Sequence, residues 1–247
     1  MGGLRLALSL FTVAPVRADR FDRPVAGRAM ALAPLAGALL GLVLAAAARG
    51  LVWLGAAPLL GGAVLVALGL LLTRGLHADG LADTADGLGS YATAERALEI
   101  MKQPDIGPFG VAAIGSVLLV DAAAATSLLS RDWPAAVAGV TAAYAAGRLG
   151  ATVACRRGVP AARPEGLGVL VAGTMSPSRL AAVTLITAAL TALADPWRGP
   201  LAVAGAVAVS WALTAHARRR LGGLTGDVIG AAIELSTAAA LIVLSIG

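Results

Sequence analysis

Lysine and cysteine are almost missing from this chain: Lys102 and Cys155 are each the only residue of their kind. A single cysteine excludes an intrachain disulfide and a thiolate metal cluster, which leaves Cys155 as a packing residue. Aromatic residues make up 4% and charged residues 13%, the latter about half the share found in soluble domains. A water-soluble fold of 247 residues needs far more polar surface than that to cover itself.

What is abundant is apolar. Hydrophobic residues account for 58% of the chain and the mean hydropathy is +0.85. They gather into long runs, and a membrane-spanning helix needs about 20 such residues. Residues 29–48 and 51–73 carry no charge but for their flanks, 106–130 carry only Asp121, and 133–155 only Arg148. Residues 199–215 form a further run, 228–247 carry only Glu234, and 180–194 form a short one. The expectation is an all-α, polytopic integral membrane bundle of about seven transmembrane helices. The count falls to six if 180–194 dips into the bilayer without crossing. Residues 1–247 read as a single membrane-embedded domain, with no internal repeat or linker.

The arginines orient it. With the N-terminus inside, the inner connections hold fifteen Lys and Arg residues and the outer ones hold three, Arg49, Arg131 and Arg198. That bias predicts a cytoplasmic N-terminus, an external C-terminus and a polar face toward the cytoplasm, in the cell membrane. The net charge of +5 is spread beside apolar runs rather than in one patch, so no nucleic-acid partner is expected. Residues 4–16 read as an interfacial or re-entrant segment. Val16-Arg17-Ala18 only loosely mimics a signal-peptide cleavage site, and Pro15 interrupts the apolar stretch.

Chemistry concentrates directly after the second run, in His77-Ala78-Asp79-Gly80-Leu81-Ala82-Asp83-Thr84-Ala85-Asp86-Gly87. On a helix, Asp79, Asp83 and Asp86 share one face within an arc of about 60°. Three like charges there repel one another. They lie among Gly and Ala, so no ion-pair lattice explains them, whereas a hard cation such as Mg²⁺ would; the alternative is a solvated acidic face at a membrane exit, or helix caps. His77 falls on the opposite side of such a helix, which argues against a zinc site with these aspartates.

A second polar block, Gly222-Gly223-Leu224-Thr225-Gly226-Asp227, leads into the last run. Gly222, Gly223 and Thr225 would bring backbone amides to a phosphate at a helix N-terminus. The alternative is an interhelical turn capped by Thr225. Asp227 and Glu234 share a helix face. Arg148 and Glu234 lie at similar depth, about 10 Å in, and could share a pocket, whereas Asp121 at about 22 Å reads as too deep to pair with Arg148. Residues 95–101 suggest a short interfacial helix. Lys102, just beyond it, is a phosphate contact or an interfacial anchor, and Gly107-Pro108-Phe109-Gly110 is a turn into the third run. No P-loop, HExxH or GxSxG motif occurs.

At these residues the chain resembles the cobalamin synthase family, the adenosylcobinamide-GDP ribazoletransferases. The similarity runs through Leu-Ser-Leu-Phe-Thr-Val-Ala-Pro at 8–15, residues 29–41, 77–87 and 97–110, and Gly-Gly-Leu-Thr-Gly-Asp-Val-Ile-Gly-Ala at 222–231. It departs at Gln103-Pro104-Asp105, where a more basic stretch is expected, which puts a phosphate contact there in doubt. The resemblance implies Mg²⁺-dependent transfer of the cobinamide-phosphate group of adenosylcobinamide-GDP to α-ribazole or α-ribazole 5′-phosphate, with release of GMP. It implies Mg²⁺ held by Asp79, Asp83 and Asp86, catalysis by Asp83, Asp86 and Asp227, and substrate contacts from Gly222, Gly223, Thr225, Lys102 and Arg148. A CDP-alcohol-type lipid synthase would share the metal chemistry. A transporter would place its charges nearer the midplane, and here only Asp121 approaches it.

Overall fold

Helix starts follow the prolines and the short polar caps. In a computed structural model, which describes residues 2–16 and 21–246, proline stands in the first turn of six helices, where its missing N–H costs no hydrogen bond. Asp22, Thr93, Ser176 and Thr225 cap four helices by accepting the amides of Val25, Arg96, Arg179 and Val228.

The order is α1 (Gly2–Phe11), α2 (Arg23–Ala31), α3 (Ala33–Trp53), α4 (Pro58–Leu72), α5 (Leu76–Gly89) and α6 (Ala94–Ile100). There follow α7 (Pro108–Leu129), α8 (Trp133–Ala154), α9 (Leu167–Val171), α10 (Pro177–Ala192), α11 (Arg198–Leu221) and α12 (Gly226–Ser245). Among the described residues there is no strand, only two isolated bridges, Arg156 with Met175 and Ala161 with Leu224. The chain is a polytopic helical membrane protein, as its composition predicts. Arg17, Ala18 and Arg20, which enter the signal-peptide and charge-bias readings, lie outside the described residues, as does Gly247.

α8 is the central helix, buried along most of its length. Small residues let its neighbours close on it. A Cβ on Gly41 of α3 would stand 2.8 Å from that of Tyr144, and one on Gly150 of α8 would stand 2.7 Å from the carbonyl oxygen of Ala232 on α12. Its Ala- and Gly-rich sequence, with Arg148 inside, keeps α8 out of the helices that are long and apolar enough to cross a membrane. Those are α3, α7, α11 and α12. α4 and α5 together also pass that test, but with an 89° bend between them.

The span boundaries differ from the sequence expectation. The chain breaks at Leu32, and α3 then runs through Arg49 to Trp53, so the turn between α3 and α4 comes at residues 54–57. Arg49 is accommodated on the helix, its guanidinium 5.5 Å from the centre of the Trp133 ring. Pro58 then starts α4, which has only 15 residues. α10 buries only Thr187 and Thr191 and lies at the periphery.

The helix ends sort into two sets. At one end Arg131, between α7 and α8, donates to the carbonyl of Leu244 near the end of α12, 2.9 Å away. At the other, the connection after α8 bonds to the α11–α12 turn through Ala162 N–H to Leu224 O (3.0 Å) and Leu224 N–H to Pro160 O (2.8 Å). α5 and α6 belong to this second end.

Candidate active site

The acidic helix is set crosswise by a two-residue turn. Arg74 and Gly75 both adopt the left-handed conformation, φ 59° and 66°. Glycine does this without strain, but an arginine does not. Arg74 is held there by donating to the Ser9 carbonyl (2.9 Å). α5 therefore leaves α4 at nearly a right angle and lies across the first two turns of α12.

Gly80 makes that crossing close. A Cβ at Gly80 would stand 2.8 Å from the Asp227 carbonyl oxygen and 3.0 Å from its Cα. Backbone thus lies on backbone, and Asp79 and Asp83 are brought beside Asp227, as the sequence reading required of folding. Asp79 is exposed and Asp83 half-buried. Partial burial pushes the Asp83 carboxyl up to about 6, helped by the neighbouring charges of Asp79, Asp227 and Asp86 and opposed by Arg163. The cluster is short of positive charge.

Asp86 has a different job from the one its helix face suggested. Its Oδ2 accepts the Gly107 amide (2.7 Å) and its Oδ1 the Gly110 amide (2.9 Å), and the residue is buried. It caps the start of α7. Both glycines are needed there, since a Cβ on either would run into the Asp86 carboxylate. Among the described residues, no three His, Cys, Asp or Glu side chains are gathered tightly enough to hold one metal ion. The other carboxylates at the crossing are Asp79, Asp83 and Asp227, the last of them paired with Arg163. They offer only oxygen donors, the set that suits Mg²⁺.

The glycine turn is also built into the fold. Gly222 ends α11 in the left-handed conformation, φ 84°, and Gly223 packs against the backbone of residues 160–162. Thr225 caps α12 through Val228 N–H, 3.2 Å, and is 3% exposed. Each of the three residues expected to cradle phosphate thus has a structural task. Lys102 pairs with Glu165 at 3.4 Å on the exposed rim. Arg148 stands apart from the aspartates. It is buried, donates to Thr237 Oγ1 (3.1 Å), and has its guanidinium 4.8 Å from the centre of the Tyr144 ring.

A model of the cobalamin-5-phosphate synthase family matches residues 3–245. The chain belongs to that family. Among curated relatives, the adenosylcobinamide-GDP ribazoletransferase of Frankia casuarinae is 40% identical over 98% of this chain and 93% of its own. Those of Corynebacterium efficiens (38%, over 96% and 88%) and Nocardioides sp. (40%, over 96% and 96%) carry the same name. No solved structure matches.

For this family member, one residue at the site had no signal in the sequence. Arg163 comes from the loop between α8 and α9, donating to Asp227 Oδ2 at 3.3 Å and to the Leu98 carbonyl at 2.9 Å. It joins the acidic crossing to α6. In the sequence it is one of several inner-loop arginines, and no spacing ties it to Asp227. Asp121 lines the same cavity as Arg148 and Glu234, which helix rise did not suggest, but no ion pair joins it to Arg148 among the described residues. His77 does turn away from the aspartates, as read, and its Nδ1 approaches Glu234 at 3.7 Å.

Proposed function

We propose that this chain is an adenosylcobinamide-GDP ribazoletransferase of the cytoplasmic membrane, with its site facing the cytoplasm. In the reaction, a hydroxyl of α-ribazole or its 5′-phosphate attacks the phosphorus that bears the cobinamide. A new P–O bond forms as the hydroxyl gives its proton to one of the carboxylates at the crossing, the diphosphate P–O bond breaks, and GMP leaves with its electron pair. The observation that carries this reading is the crossing of α5 on α12, which puts Asp79, Asp83 and Asp227 at one end of the bundle beside Arg163. Membership of the family favours a corrinoid over the lipid alcohol of a CDP-alcohol-type synthase. The fifteen-to-three bias of basic residues supports the orientation.

One or two of Asp79, Asp83 and Asp227 would hold Mg²⁺, with oxygens of the substrate diphosphate completing its ligand set. When bound, the ion neutralises diphosphate charge that the protein alone does not offset. Arg163 lies where it can contact a phosphate oxygen while keeping Asp227 in place. Asp86 positions the reacting residues by fixing α5 to the start of α7. In-line placement, on which such transfers depend, would have to come from substrate bound across this crossing. Mixing the detergent-solubilised protein with Mg²⁺, α-ribazole and adenosylcobinamide-GDP should release GMP. No GMP above a protein-free control would overturn the assignment.

A further inference from the structure

Away from the aspartate crossing, a small cavity of about 20 Å³ lies inside the bundle, bordered by α4, α7, α8 and α12. Thr73, Asp121, Tyr144, Arg148, Glu234 and Thr237 provide its polar lining. Asp121 and Arg148 are 4% and 2% exposed, and both carry an atom with no hydrogen-bond partner, Oδ1 and Nε. Among the described residues, no ion pair within 4.0 Å joins Arg148 to either carboxylate. Buried polar atoms are nearly always satisfied, so unpartnered ones around one cavity call for a guest. The space suffices for one water-sized particle.

Charge identifies the guest. Two carboxylates and one guanidinium face the cavity, and with both acids ionised they would leave one unit of negative charge in a place where unbalanced charge is costly. The hydroxyls of Thr73 and Thr237 donate to carbonyls of their own helices, Gly69 and Ile233, so only their oxygen lone pairs remain for a ligand. We propose that this cavity binds a single monovalent cation, a proton or a sodium ion, between Asp121 and Glu234. A divalent ion would overshoot neutrality, and an anion would add to the excess. Facing the two acids are Arg148 and Tyr144 from α8 and, beside Glu234, His77 from α5; α4 contributes no titratable group. Since His77 opens the helix that carries Asp79 and Asp83, the cation also stabilises the seat of that helix.

The test is thermal unfolding of the whole protein in detergent without substrate, so its outcome is independent of the transferase reading. Sodium chloride is compared with choline chloride at equal ionic strength, across pH 6 to 9. If the guest is sodium, the midpoint rises by about 3 °C for each tenfold increase in sodium beyond its dissociation constant. If it is a proton, the midpoint ignores sodium and falls as pH rises, because the proton is held only by the folded state. Asp121→Asn and Glu234→Gln each remove the excess charge and should each abolish the wild-type dependence; should one not fold, the other decides. A wild-type midpoint indifferent to both sodium and pH overturns the proposal, as does an unchanged dependence in the variants.

Discussion

Gly80 and Asp227 touch backbone to backbone, with no room between them for a side chain. Everything proposed for the aspartates depends on that contact. Gly80→Ala should therefore shift α5 off α12 and lower turnover by about tenfold or more, since a misplacement of about 1 Å can cost a hundredfold. Gly115→Ala is the control, because nothing lies within 4 Å of a Cβ there. Comparable turnover per folded molecule in the two variants would show that the crossing does not position the site.

Asp86 offers a prediction about stability. Removing its carboxylate with Asp86→Ala leaves the amides of Gly107 and Gly110 without their acceptor. The loss should be about 1–3 kcal/mol, or several degrees in the unfolding midpoint. Asp86→Asn keeps one acceptor oxygen and should lose less. Were both variants as stable as wild type but inactive, Asp86 would be a metal ligand rather than a cap.

The raised carboxyl of Asp83 predicts a pH dependence in the absence of metal. Its acid form is favoured by the fold, so the stability it contributes is present at low pH. That stability is lost as pH rises from about 4, the ordinary value, to about 6. In EDTA the unfolding midpoint should fall across this window, and Mg²⁺ should restore it above the window. Asp83→Asn should flatten the EDTA curve. A midpoint that Mg²⁺ does not move at pH 7 would count against a metal at the crossing.

If Asp83 and Asp227 grip one diphosphate–Mg²⁺ unit, their losses should not multiply. Asp227→Asn alone should be severely impaired, and adding Asp83→Asn should cost little further turnover. The double-mutant cycle reads this directly, and fully multiplicative losses would mean two separate sites.

How far the residues announced this arrangement depends on distance along the chain. The shared face of Asp79, Asp83 and Asp86 follows from helix period alone, and so does the turning away of His77. The distinct task of Asp86 does not, because its partners are backbone amides 21 and 24 residues away that carry no sequence mark. Arg163 was invisible for the same reason. Among the described residues Asp121 makes no ion pair with Arg148, as its depth suggested, but the cavity they share was missed because depth was counted from each helix's own start, as though all helices began at one level. Arg49 misled in the opposite way: a charge looked like a boundary, but a helix can carry an arginine onto an aromatic ring at its end.

Topology is also open to direct test. A reporter inserted near Ser90 should be active only in the cytoplasm and one fused after Gly247 only outside it, as the arginine bias requires. Both reporters on the same side would overturn the orientation.

The brevity of α4 has a consequence for the surrounding lipid. Fifteen residues reach about 22 Å, whereas the hydrocarbon layer is about 30 Å thick. Beyond Leu72 the chain turns sideways, so a bilayer crossed by α4 alone would have to thin on this flank to meet the protein. Such thinning would draw headgroups and water down toward α5, and a bulky, highly polar substrate would be served in a dimple of the membrane without entering its oil.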